Sequence, residues 1–249
     1  MELELTTLLM LVGAAFVAGF VDSIAGGGGL ISLPALLLAG LPPVEAVATN
    51  KLQATFGSTT AAYRYWKAGL VDSSQLKLPF IAALVGGAVG AACLGLIDPS
   101  ILSRVMPVML VAVALYFALA PSASDVGTKA HLGQVGFAIG IAAPIGFYDG
   151  MFGPGTGSFF TAGLVALAGF GLLQAIAHTK ILNTGSNVAS LAMFVALGQV
   201  YFHIGLPMAV GQTLGAIAGS KLAMKHGARL IRPLIVVMTI LVALRLLMR

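Results

Sequence analysis

Four ionisable residues stand deep in apolar sequence: Asp22, Lys51, Asp149 and Lys180. Each half of the chain supplies one carboxylate and one ammonium. A charge at membrane depth is costly, so such residues face a bundle interior and mark working sites. Lysine brings a positive charge and three donors, which suits an anion. Aspartate suits a proton or cation site, or the anchoring of broken backbone. Each aspartate precedes a glycine break. Gly19-Phe20-Val21-Asp22-Ser23-Ile24-Ala25 runs into Gly26-Gly27-Gly28-Gly29, and Gly146-Phe147-Tyr148-Asp149-Gly150-Met151-Phe152 runs into Gly153-Pro154-Gly155-Thr156-Gly157. Each glycine weakens a helix by about 1 kcal/mol, so these runs end one helix and open another.

A helix that opens at such a break exposes unpaired N–H groups and about half a positive charge. Glycine lets an anion approach that backbone closely. Lys51 lies roughly 10 Å into its segment, too deep for a loop charge. Thr49, Asn50 and Gln53 surround it, as His178, Thr179 and Asn183 surround Lys180. The pattern predicts a cationic, donor-rich pocket near the bilayer midplane. Its substrate-binding residues are Gly26, Gly27, Gly28, Gly29, Asn50, Lys51, Gly153, Gly155, Thr156, Gly157, His178, Lys180 and Asn183. Asp22 and Asp149 are coupling sites for a proton or cation, or members of structural ion pairs, Asp22 with Lys51 and Asp149 with Lys180. No catalytic residue and no metal ligand is expected.

Other residues read more plainly. His178 is the histidine to follow, because imidazole titrates near neutral pH. His131, His203 and His226 fall near segment ends. Tyr63, Tyr65, Trp66 and Tyr201 read as interfacial belt residues. Gly13, Gly19, Gly86, Gly87 and Gly90 read as close helix packing.

The elements that must position these groups follow from composition. The chain is 59% hydrophobic and 8% charged, against about 25% charge in a soluble domain. It cannot cover itself with a water-compatible surface, so the fold expected is an all-α integral membrane protein, a polytopic helical bundle embedded in lipid. Its 249 residues allow about eight to ten helices. The net charge of +5 sits in loops that flank apolar segments, without the aromatic-basic interleaving of a nucleic-acid face. Cys93 is the one cysteine, which excludes an internal disulfide and a thiolate metal cluster. No cofactor is expected. The acidic start Met1-Glu2-Leu3-Glu4 lacks the positive region of a cleaved signal, so the first apolar segment is expected to be retained.

Apolar segments fall at 5–24, 29–40, 44–66, 78–97 and 101–120, then at 131–151, 157–170, 174–197, 205–224 and 230–248. Residues 1–120 form a first transmembrane repeat, 121–130 a linker and 131–249 a second repeat. The segments 29–40 and 157–170 are too short to cross about 30 Å of hydrocarbon and read as half-helices after the breaks. Ala48-Thr49-Asn50-Lys51-Leu52 lines up with Ala177-His178-Thr179-Lys180-Ile181, and Pro79 followed by Gly87 with Pro207 followed by Gly215. Such matches in order are the usual trace of transporter repeats. Arg64, Lys67, Lys77, Lys129, Lys221, Lys225, Arg229 and Arg232 fall on one side. Glu2, Glu4, Glu45 and Asp98 fall on the other, with Arg104 and Arg249. The first side is then cytoplasmic, both termini are periplasmic, and five crossings per half make the repeats inverted.

The string from Gly19 to Lys51, with Ala61-Ala62-Tyr63-Arg64-Tyr65-Trp66-Lys67-Ala68-Gly69, resembles the TauE/SafE family of bacterial membrane proteins, the sulfite-exporter-like permeases. The resemblance implies secondary transport of small sulfur-containing or organic anions, such as sulfite, sulfonates or sulfoacetate, across the inner membrane. In the second copy Pro154 replaces a glycine and His178-Thr179 replaces Thr49-Asn50, so the half-sites are not expected to be equal. The partners expected are a small anion, a coupling proton or cation, and the lipid bilayer, with no nucleic acid; a homodimer is compatible with this reading. An anion channel is the alternative. An intramembrane hydrolase using Asp22 and Asp149 is disfavoured, because Gly19-Phe20-Val21-Asp22 lacks the Gly-x-Gly-Asp pattern of intramembrane aspartyl proteases.

Overall fold

The break after Asp22 sets the local geometry of the first half. Helix α1 (Leu5–Ala25) ends where Gly26 turns to a φ of 83° and returns its N–H to the Asp22 carbonyl. Only glycine adopts that backbone freely. The short helix α2 (Gly29–Leu38) opens immediately afterwards. Helix α3 (Pro43–Lys67) starts with proline in its first turn, where the missing N–H costs nothing. After a 3₁₀ turn at Ser73–Gln75 come α4 (Lys77–Leu94) and α5 (Pro99–Leu119).

The computed structural model describes residues 3–119, 127 and 129–226. In the second half α6 (Gln134–Phe137), a π-helical turn (Ala138–Ala142) and α7 (Ala143–Met151) follow one another without interruption. Then come α8 (Thr156–Ala166), α9 (Leu172–Ala196) and α10 (Phe202–His226). Among the described residues there is no strand. The expected segment 230–248, Glu2, Arg229, Arg232, Arg249 and most of the linker 121–130 lie outside the described residues.

Helices α1 and α4 are long and apolar enough to cross a membrane, with mean hydropathies of 2.1 and 1.8. Helices α3, α9 and α10, at 25 residues each, extend about 37 Å at the helical rise but carry polar faces. Those faces turn inward, since Thr49, Asn50, Lys51, Gln53 and Ser58 on α3 and Thr179, Lys180, Asn183, Ser186 and Ser190 on α9 are all buried. Apolar side chains turn outward instead: Leu9, Met10, Val85 and Val210 are exposed. This inside-out polarity is the one a lipid solvent selects.

The helices pair in a regular way. α1 lies along α10, and α4 along α7; α3 contacts α9; α3 contacts α10, and α4 contacts α9. α2 bridges α1 and α3, as α8 bridges α7 and α9. Exchanging α1 with α7, α2 with α8, α3 with α9 and α4 with α10 maps this set of contacts onto itself, with the α3–α9 contact on the axis of the exchange. Small residues make the approaches possible. Gly19 packs on the Gln212 carbonyl, Gly215 on that of Phe16, Gly86 on that of Ala143 and Gly90 on that of Phe147. With no hydrophobic drive between helices in lipid, such contacts and their dispersion hold the bundle. Gly87, against Ser186, belongs to the same set. Gly13 does not: a side chain there would meet open space, so its assignment to helix packing is corrected. Tyr63 and Trp66 are exposed, as belt residues should be. Tyr65 is fully buried and donates to the Ser23 carbonyl at 2.8 Å, so it is a core strut rather than a belt residue.

Candidate functional site

The two glycine breaks meet. A Cβ on Gly157 would lie 2.6 Å from the Gly26 Cα, and a Cβ on Gly29 would lie 3.1 Å from the Pro154 Cα. Ser158 Oγ donates to the Ala25 carbonyl at 2.7 Å, tying the second break to the first. Each break is also held by its own half. Gly28 N–H points at Asp22 Oδ1 at 3.5 Å, a weak contact. In the other break Tyr148 donates to the Pro154 carbonyl and Thr156 Oγ1 to the Gly153 carbonyl, both at 2.7 Å. Gly153 and Gly155 take φ of 90° and 82°.

The ion pairs cross between the halves. Lys51 Nζ on α3 lies 2.7 Å from Asp149 Oδ1 on α7, and Lys180 Nζ on α9 lies 2.8 Å from Asp22 Oδ2 on α1. The pairing expected from the sequence, Asp22 with Lys51 and Asp149 with Lys180, is therefore wrong. The two short helices start back to back, so each lysine helix faces the aspartate of the other half. Neither carboxylate is hydrogen-bonded to the other among the described residues; each is held by a lysine. Two carboxylates sharing a proton, which an aspartyl-protease mechanism requires, are not what this geometry presents.

Matched bonds surround the pairs. Ser32 Oγ donates to Asn50 Oδ1 at 2.6 Å, and at the corresponding place Thr161 and Thr179 hydroxyls lie 3.0 Å apart. Thr49 Oγ1 accepts the Tyr201 N–H at 3.1 Å, and His178 Nε2 accepts the Asp72 N–H at 3.2 Å. His178 Nδ1 lies 2.7 Å from the Gln174 carbonyl, which requires its proton on Nδ1 and leaves Nε2 as the acceptor. His178 thus staples the α3–α4 loop, as Thr49 staples the start of α10.

The surroundings are nevertheless unequal. Asp149 also accepts from Ser186 Oγ at 2.6 Å, and Lys51 also donates to Asn187 Oδ1 at 3.0 Å. Counting on from the lysines, Gly57 corresponds to Ser186 and Ser58 to Asn187. Gly57 has no hydroxyl, and the Ser58 hydroxyl turns back to the Thr55 carbonyl. The Asp22 side chain is 13% exposed, against 3% for Asp149.

Between the breaks lies a polar cavity of about 20 Å³, room for one or two waters. Of the residues expected in a binding site, it is lined by Asp22, Gly26, Gly29, Asn50, Lys51, Asp149, Gly153, Gly157 and Asn183. Gly27, Gly28, Gly155, Thr156, His178 and Lys180 are not on its wall. Gly28 and Gly155 instead cap α2 and α8, and Lys180 stands behind Asp22. Ser32 and Gln212 line the cavity without having been expected, and Asn187, from the polar run that continues past Lys180, lines it too. Asn187 extends the polar face of α9. Gln212 breaks the apolar run of α10, the one signal that could have found it. Its Oε1 is buried with no hydrogen-bond partner among the described residues, and its side chain lies across Gly57. No group of acidic, histidine or cysteine residues suited to a metal ion occurs among the described residues.

The family model for the sulfite exporter TauE/SafE matches residues 11–246. The chain belongs to the TauE/SafE family. Within this family of membrane transporters it is 48% identical over 247 residues to a probable membrane transporter protein, ORF9, of Sinorhizobium sp., covering 99% of this chain and 94% of that one. It is 39% identical over 246 residues to a probable membrane transporter protein of Haemophilus influenzae, covering 99% and 96%. It is 41% identical over 233 residues to the probable membrane transporter protein YfcA of Escherichia coli K12, covering 94% and 87%. No solved structure matches the chain. Membership in TauE/SafE makes this a membrane-embedded helical transporter, with the breaks and crossed ion pairs at its centre.

Proposed function

We propose that the chain is a secondary transporter of small anions, sulfur-containing or organic, in the sulfite, sulfonate and sulfoacetate class. It works by alternating access around a midplane site between inverted repeats, residues 1–120 and 131–249, joined by 121–130. It sits in the bacterial inner membrane with both termini periplasmic. The carrying observation is that each half's lysine is bonded to the other half's aspartate beside a polar cavity. An entering oxyanion offers the lysines a further acceptor and so competes with the bonds that hold the halves together. The exchange pattern of helix contacts supports the repeat reading, and the family model's description as a sulfite exporter supports the substrate class.

A cavity of this size is smaller than an oxyanion needs, so anion binding must widen it and move the halves apart on one side. That linkage is what a transporter requires and a fixed binding protein does not. The test is thermal stabilisation of purified protein across sulfite, thiosulfate, taurine, sulfoacetate, sulfate, acetate and lactate, followed by flux into liposomes. An anion at one hundred times its Kd stabilises by about 2.7 kcal/mol. Lys51→Ala and Lys180→Ala should abolish the response. The reading is lost if no anion either stabilises the protein or crosses the liposome membrane. Saturable counterflow rather than conductance separates a transporter from a channel.

A further inference from the structure

Asp22 and Asp149 occupy matching places but are held differently, and the difference bears on coupling. Asp149 is locked by Lys51 and by Ser186 Oγ, and Lys51 has a second acceptor in Asn187. Asp22 is held by Lys180 and by the long contact from Gly28 N–H; both aspartates reach the cavity wall, and the Asp22 side chain is the more exposed. The residue opposite in sequence to Ser186 is Gly57, and the space it leaves is filled by the Gln212 side chain. Gln212 lines that wall, and its Oε1 is buried with no donor among the described residues. An unpaired buried acceptor is destabilising, and a donor that arises during the transport cycle relieves it.

We propose that Asp22 is the proton-binding site that couples transport, with Gln212 Oε1 accepting the proton-bearing hydroxyl. This rests on the anion-transport reading above. The cavity group is neutral at rest, two carboxylates against two ammoniums. Lys180 stands behind Asp22, so a monoanion that enters as the cavity widens and takes the Lys180 ammonium displaces the Asp22 carboxylate from its partner. A buried unpaired charge is far costlier than a hydrogen-bonded neutral acid. One proton from water therefore joins Asp22, the ion pair becomes a lysine–anion pair plus a carboxylic acid, and the charge balance returns to zero. One anion moves with one proton. Asp149 is locked from two sides, by Lys51 and by Ser186 Oγ, and keeps these partners through the cycle.

The charged and titratable groups near Asp22 are consistent with this exchange. α9 presents Lys180, and α3 presents Lys51 and Tyr65, both of which feel its charge. Asp149 lies beyond Lys51 and is neutralised by it. α10 presents Gln212, and its own ionisable residues, His203, Lys221, Lys225 and His226, lie toward its ends. α2 and α8 carry no ionisable residue.

The experiment uses full-length protein in liposomes loaded with a pH-sensitive dye. Isethionate is one probe, because it has no titratable group near neutral pH and every proton that moves with it is carried by the protein. Sulfoacetate is the other. The result expected is one proton entering per isethionate, a monoanion, and faster uptake when the outside is acidified; sulfoacetate, a dianion at neutral pH, tests whether the anion class is carried. Asp22→Asn should move the anion more slowly, with a proton ratio near zero. Gln212→Leu should shift the midpoint of the proton dependence to more acidic pH, because the protonated acid has lost its acceptor. Anion flux in wild-type protein with a proton ratio near zero overturns the inference and leaves the transport reading intact. A ratio of one retained in Asp22→Asn, or an unmoved midpoint in Gln212→Leu, overturns it too. Should Asp22→Asn not fold, the wild-type ratio and the Gln212→Leu midpoint decide. Where neither is carried, the anion of the panel above that crosses the liposome membrane takes their place; if none crosses, the transport reading fails and this inference falls with it.

Discussion

Lys51 donates to Asp149 at 2.7 Å across the boundary between the two halves of the chain, with both side chains almost wholly removed from solvent. Deleting one member of such a pair leaves an uncompensated buried charge, which costs about 3–5 kcal/mol. Lys51→Ala and Asp149→Ala should each lower stability by that order. Lys51→Met combined with Asp149→Leu should recover most of the loss, because a packed apolar pair needs no charge compensation. In a double-mutant cycle, Lys51 should couple more strongly to Asp149 than to Asp22. Unfolding of purified variants in detergent checks this. A larger coupling to Asp22 would mean that the pairs form within each half after all.

The glycines of the breaks should not be interchangeable. Gly26 has a φ of 83°, and a side chain there would run into the Gly157 backbone. Gly27 has a Leu30 methyl 3.8 Å away as its nearest neighbour, an ordinary contact. Gly26→Ala combines a left-handed backbone strain of about 1–2 kcal/mol with a clash between two main chains that cannot yield separately. It should abolish folded protein, whereas Gly27→Ala should yield protein that elutes as wild type in size-exclusion chromatography. Equal behaviour of the two would remove the contact between breaks as the reason for the glycines.

The positions of the breaks were legible because glycine runs inside apolar sequence have few other uses, and the helices stop and restart where Gly26 and Gly153 stand. The inward polar faces of α3 and α9 were legible from Asn50, Lys51, Lys180 and Asn183 for a similar reason, since polar residues in lipid must face each other. Partner choice was not. Whether Asp22 meets Lys51 or Lys180 depends on how α1 and α9 cross, which sequence spacing does not encode. Gln212 escaped notice because one amide in an apolar helix has no pattern, and its meaning comes from Gly57 on another helix. Tyr65 was misplaced because Tyr63 and Trp66 beside it do face outward, and one helical step turns it to the core.

Tyr65 and Tyr63 offer an internal comparison on one helix. Tyr65 donates to the Ser23 carbonyl at 2.8 Å inside the bundle, one residue after Asp22. Tyr65→Phe removes the donor and leaves that carbonyl unsatisfied, a loss of about 1–3 kcal/mol. Tyr63, 57% exposed, should tolerate phenylalanine with little change. Thermal unfolding of both variants should therefore separate them clearly. An equal response would show that the Tyr65 hydroxyl contributes nothing at the break.

Ser186 should matter more than Ser58, although the two serines lie at neighbouring places on α9 and α3. Ser186 Oγ donates at 2.6 Å to a buried carboxylate that already carries an ion pair, and bonds to charged groups are worth about 1.5–3 kcal/mol. Ser58 Oγ returns at 3.3 Å to the carbonyl of Thr55 in its own helix, a bond that adds little. Ser186→Ala should therefore lower stability by about 2 kcal/mol and Ser58→Ala by less than about 1 kcal/mol. The loss in Ser186→Ala should largely vanish in an Asp149→Asn background, where no charge remains to be held, and chemical unfolding of the four proteins measures that difference. Persistence of the full loss in that background would show that Ser186 acts through its bond to the Asn183 carbonyl instead.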